Sequence, residues 1–73
     1  MRTIYDIQQL LKKFGTFIYV GDRLAELEMM EDEIRELYQS QCMVQDDYQM
    51  AILLLRNEMA VERDRLKGRG LIR

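Results

Sequence analysis

Apolar residues recur along this chain at helical intervals in three stretches, and glycines or short polar runs separate them. Ile4, Ile7, Leu11 and Phe14 are spaced by three and four, one face of a helix, and Leu10 widens that face. Thr3 is a good N-cap, with Asp6 three residues on as a short capping box. Gly15 suits the left-handed position that ends many helices. A first helix is therefore predicted over 4–14. Asp22 is the expected N-cap of a second helix over 22–40, with Leu24, Leu27, Met30, Ile34, Leu37 and Tyr38 as its apolar stripe. Glu28, Asp32, Arg35 and Glu36 fall on its far side as a solvated face.

The polar run from Ser40 to Asp47 is long enough for a turn between antiparallel helices. A third helix is expected over 46–66, its acidic start (Asp46, Asp47) suiting the positive helix end. Tyr48, Ala51, Ile52, Leu55 and Met59 make its core stripe. Met50, Leu54 and Val61 make a second one, a candidate contact between subunits in a homo-oligomer. Gly68-Arg69-Gly70 is expected to end the helix. The pattern describes an all-α, small three-helix bundle, with one domain over 1–67 and a basic, flexible tail over 68–73. Its core should hold Ile7, Leu11, Phe14, Leu24, Leu27, Ile34, Leu37, Ile52, Leu55 and Met59.

One connection departs from the usual short polar link. Lys12-Lys13-Phe14-Gly15-Thr16-Phe17-Ile18-Tyr19-Val20-Gly21-Asp22-Arg23 is apolar and aromatic, flanked by basic residues and bent at two glycines. Thr16 to Val20 have strand propensity. A lone strand has no partner here, so the segment is expected to be an extended connection, with Phe17 and Val20 closing one end of the core.

Composition narrows the function classes. The chain has 73 residues, one cysteine, no histidine and no proline. Cys42 has no partner for an intrachain disulfide and is expected to be a small buried hydrophobe. A zinc site of ordinary composition is excluded, and no other metal or cofactor is implied. No nucleophile adjoins a base, and Gly15 and Gly21 are too far apart for a dinucleotide fingerprint. The chain is therefore expected not to be an enzyme. No export signal or membrane span is visible, since the longest apolar run is Met50 to Leu55. A reducing cytoplasm is the expected compartment.

Net charge is −2, but it is unevenly spread. Residues 1–21 carry Arg2, Lys12 and Lys13 against Asp6. Residues 22–47 are strongly acidic, and residues 63–73 are basic. The two ends attract polyanions and the middle repels them. On helix 1, Tyr5, Gln8, Gln9 and Lys12 share a polar flank. Lys13 lies outermost, and Tyr19 and Arg23 follow across the connection. Single-stranded nucleic acid is bound by cations for phosphates and exposed rings for base stacking. The candidate site residues are Tyr5, Gln9, Lys12, Lys13, Tyr19 and Arg23, with Arg56 on the polar side of helix 3. Contact with about three phosphates would make log K fall with log salt at a slope near −2. Tyr5 and Tyr19 would equally serve as boundary tyrosines with a buried ring and a wet hydroxyl. The rival reading is a protein-interaction module or self-associating adaptor using the second stripe of helix 3.

Several segments carry a family resemblance: Tyr5–Leu11, Phe14–Tyr19, Gly21-Asp22-Arg23, Met30–Tyr38 and Tyr48–Arg56. In their order and spacing the chain resembles the YqgQ-like family of short bacterial proteins over about residues 4–60. The resemblance implies a cytoplasmic three-helix bundle and a role in binding single-stranded nucleic acid. Residues 61–73 lie outside the shared pattern, so the resemblance implies nothing about the basic tail.

Overall fold

The computed structural model describes the backbone of residues 2–71 and the side chains of residues 2–67. Three helices, α1 (Ile4–Lys13), α2 (Arg23–Gln39) and α3 (Gln45–Leu71), make the bundle, and no strand occurs among the described residues. Each start follows from local chemistry. The Thr3 hydroxyl accepts from the Asp6 amide, and the Asp6 carboxylate accepts from the Thr3 amide, closing a capping box. A further bond from the Arg2 amide, then those from Thr3, hold the Asp6 carboxyl below its ordinary pKa. Asp22 caps α2 by accepting from the amides of Leu24 and Ala25 at 3.0 and 3.2 Å.

The first two helices end alike. At α1 the amides of Gly15 and Thr16 donate back to the carbonyls of Lys12 and Leu11, with Gly15 at φ 82°. At α2 the amides of Gln41 and Cys42 donate to Tyr38 and Leu37, and Gln41 takes φ 62°. Both are Schellman ends, and the second forces a side chain into the region glycine prefers.

Packing follows the apolar stripes. Ile7 and Leu11 of α1, Leu27, Met30 and Ile34 of α2, and Ala51, Leu55 and Met59 of α3 form the buried core. Leu24, Leu37 and Ile52, expected in the core, are half-buried against it. Helices α2 and α3 run antiparallel. Tyr38 stacks on Tyr48 near the turn, with ring centroids 4.1 Å apart, and Arg23 pairs with Glu58 at the far end at 3.3 Å.

Four expectations are corrected. Phe14 is not core: α1 ends at Lys13, and Phe14, as C-cap, leaves the helical path and is 48% exposed. Phe17 and Val20 do not close the core, being 77% and 51% exposed; Ile18, between them, turns inward instead. An extended segment alternates sides, so burying Ile18 turns Phe17 and Tyr19 outward; Val20 leaves that alternation where the chain bends at Gly21, which has φ 80°. Cys42 is exposed, because it follows the α2 cap in the turn. Helix α3 does not stop near 66 but continues through Gly68-Arg69-Gly70 to Leu71. Glycine inside a helix costs only about 1 kcal/mol each, too little to require an end. Residues 72–73 of the expected tail lie outside the described residues. In the second stripe of α3, Met50 and Val61 are exposed as expected, while Leu54 is half-buried against the core and Leu53 takes the more outward position.

Candidate functional site

The connection from Phe14 to Asp22 crosses beside α1, and a groove of about 370 Å³ opens between them. Helix α1 contributes Tyr5, Gln8, Gln9 and Lys12 to its wall. Each of these positions stands three or four residues from two of the others, so they stack along one flank while Ile7 and Leu11 turn to the core. The connection contributes Thr16, Phe17, Ile18 and Tyr19, and α2 contributes Glu26 and Met30.

Tethers to α2 set the course of the connection. One Glu26 carboxylate oxygen accepts from the amides of Val20 and Gly21 at 3.2 and 3.1 Å. The Thr16 hydroxyl donates to Glu33 at 3.5 Å. Between these points Ile18 packs against the core. Thr16 and Ile18 therefore face inward, and Phe17 and Tyr19 are left to solvent. Tyr19 is 81% exposed and Tyr5 64%. Exposure of this degree is inconsistent with a boundary tyrosine that buries its ring. The Lys12 ammonium lies 5.5 Å from the Phe17 ring centroid, a cation–π contact that positions both at the rim.

Of the seven sequence-derived candidates, Tyr5, Gln9, Lys12 and Tyr19 line this groove together. Lys13 is exposed on α1 but does not line it. Arg23 is turned to α3 by its ion pair with Glu58. Arg56 lies in a separate charged depression with Glu28, Glu31, Asp32 and Arg63, 3.7 Å from Glu31. Phe17 and Glu26 join the site. The alternation of Thr16 to Val20 could have pointed to Phe17, because a buried Ile18 requires an outward Phe17. Nothing local marks Glu26, since its partners lie five and six residues back.

The groove presents rings, two amides, one cation and one carboxylate already bonded to backbone. It can stack planar ligands and bond their edges. Among the described residues no group of three or more histidine, cysteine, aspartate or glutamate side chains could hold a metal ion. Among the same residues, no helix is long and apolar enough to cross a membrane.

Comparison with known proteins adds two findings. The family model described as YqgQ-like matches residues 1–61. The chain is 46% identical over 59 residues to "Uncharacterized protein YqgQ" of Bacillus subtilis (strain 168), a span covering 81% of this chain and 83% of that protein. Every residue of the groove lies inside the matched range, and the last part of α3 lies beyond it.

Proposed function

The chain belongs to the YqgQ-like family, and we propose that it is a non-enzymatic cytoplasmic protein that binds single-stranded nucleic acid in the groove between α1 and the connection. The observation that carries this reading is the display of three exposed rings, Tyr5, Phe17 and Tyr19, around one groove. Leaving three large rings in water forfeits burial energy that a fold this small would otherwise use. Bases stacked on them recover it, at about 1–3 kcal/mol per base. In this reading Gln8 and Gln9 bond base edges, and Lys12 at the rim and Lys13 just outside it meet phosphates.

Single strands are the proposed ligand because a duplex hides the faces that rings require. Stacking, rather than charge, dominates the affinity. Arg23 and Arg56 are engaged by Glu58 and Glu31, so two phosphates are contacted rather than three. The salt slope should then be about −1.4, from about 0.7 per phosphate.

Fluorescence anisotropy with labelled mixed-sequence DNA and RNA single strands at low salt tests the proposal. Wild type should bind, bind the matching duplexes more weakly, and lose about 1–3 kcal/mol with Tyr5→Ala. Lys12→Glu with Lys13→Glu should weaken binding and leave the fold intact, since both side chains are exposed. No binding to either pool, or binding that ignores all three substitutions, would overturn it.

A further inference from the structure

A different surface, on the opposite side of α3 from α2, has no partner among the described residues. Leu55 and Met59 of α3 are buried, but Met50, Leu53 and Val61 are 44%, 65% and 56% exposed. Helix α3 also outruns its support. Among the described side chains its last buried residue is Met59, close to where Glu58 meets the start of α2. The helix then continues to Leu71, about 18 Å farther at 1.5 Å per residue. This overhang accounts for a molecule 46 Å long and only 23 by 18 Å across. A helical end of this length is marginal in water without tertiary contacts.

The charges along the same side indicate what covers it. Asp46, Leu53, Ala60 and Lys67 recur every seven residues and are all exposed. Read in order they are acid, apolar, apolar, base, a series that complements itself when reversed. The ends repeat the theme: Asp46 and Asp47 open α3, while Arg63, Arg65 and Lys67 outweigh Asp64 near its close. Arg65 is committed to Glu62 at 2.6 Å, and Arg63 lines the depression that holds Glu28, Glu31 and Asp32 of α2, which leaves Lys67 as the base that meets outside charge. A second α3 laid antiparallel would set Asp46 opposite Lys67 of the other copy and Leu53 opposite its Ala60. Met50 would lie about 3 Å along the axis from Val61 of the other copy, and both overhangs would gain support. A parallel arrangement would set acid on acid and base on base.

We propose that this face of α3 is a homodimer interface, in which two copies pair their third helices antiparallel about an axis near residues 56–57. Such pairing is isologous and closes on itself, so it stops at the dimer. The surface lies apart from the ring-lined groove, and the dimer does not depend on nucleic-acid binding.

Sedimentation equilibrium across a wide concentration range, up to the millimolar, tests the proposal. Wild type should pass from monomer to dimer. Leu53→Glu should raise the dissociation constant about tenfold or more, by placing a charge in the contact, while helicity by circular dichroism stays near that of the wild-type monomer. Charge reversal tests the direction of pairing. Asp46→Lys alone and Lys67→Glu alone should each weaken self-association. An equimolar mixture of these two variants should restore it, because every cross-pair is then opposite in sign. A wild type that stays monomeric throughout, a dimer indifferent to Leu53→Glu, or single variants whose mixture is no tighter than either alone would each overturn the proposal.

Discussion

The two connections of this bundle begin with the same hydrogen-bonded helix end and then diverge. After α1 the chain takes nine residues to reach α2, and its rings point to solvent. After α2 it takes five to reach α3, and the nearby rings, Tyr38 and Tyr48, stack on each other at 4.1 Å and close the core. The short turn is held by hydrophobic contact. The long connection is held by polar tethers, Glu26 on two backbone amides and Glu33 on Thr16, with Ile18 as its single apolar anchor. Polar tethers fix a backbone without consuming its aromatic side chains, so the rings stay available. That separation of support from display distinguishes the candidate site from ordinary packing.

The largest expected effect removes the frame common to both connections. Leu55 is fully buried, and Leu55→Ala should cost about 2–5 kcal/mol, enough to unfold a domain of this size. Thermal melting followed by circular dichroism should show the transition lost or moved far down. A stability close to wild type would mean that the core is not where the packing places it.

A crossed pair of substitutions sharpens the contrast itself. Tyr38→Ala breaks the stack at the short turn and should cost about 2 kcal/mol of stability with little direct effect on ligand binding in the folded protein. Tyr19→Ala, at an exposed position, should leave stability within about 0.5 kcal/mol of wild type and lose about 1–3 kcal/mol of binding. Equal effects of the two on both readouts would erase the distinction.

Next in size is Glu26→Ala. It releases the amides of Val20 and Gly21 into solvent and should cost about 1 kcal/mol. Faster amide hydrogen exchange should appear at Val20 and Gly21 and not at Gln41 or Cys42. Exchange that speeds equally in the two connections would show that Glu26 is not the tether.

The smallest effect compares the two left-handed positions. Gln41→Gly should gain about 0.5–1 kcal/mol, because the native φ of 62° strains a side chain. Gly15→Ala should lose about 1 kcal/mol for the converse reason, with no clash involved, since nothing lies within 4 Å of an added methyl. Denaturant unfolding of both variants should give shifts of opposite sign.

Much of the fold was legible in the residues. Thr3, Asp22 and Gly15 act as the caps their chemistry suggests, and Leu27, Ile34 and Leu55 are fully buried as their spacing requires. The site was legible in part. Tyr5, Gln9 and Lys12 share a flank because they share a helix, and that follows from period alone. Which way Phe17 and Val20 face depends on tethers from α2, and an extended segment of mixed apolar residues offers either side. Arg23 looked available because its partner Glu58 lies thirty-five positions away, on a different helix. The continuation of α3 past Lys67 was hidden because Gly68 and Gly70 weaken a helix without stopping it.

If the ring-lined groove, with Lys13 just outside it, is where the ligand binds, the rest of the surface stays free of it. Two-dimensional NMR, recording amide and aromatic shifts during titration with a short single-stranded oligonucleotide, tests it most directly. Shifts should concentrate on Tyr5, Gln8, Gln9, Lys12, Lys13, Phe17 and Tyr19, with Tyr38 and Tyr48 unmoved. Shifts confined to α3, or no shifts at saturating oligonucleotide, would contradict it.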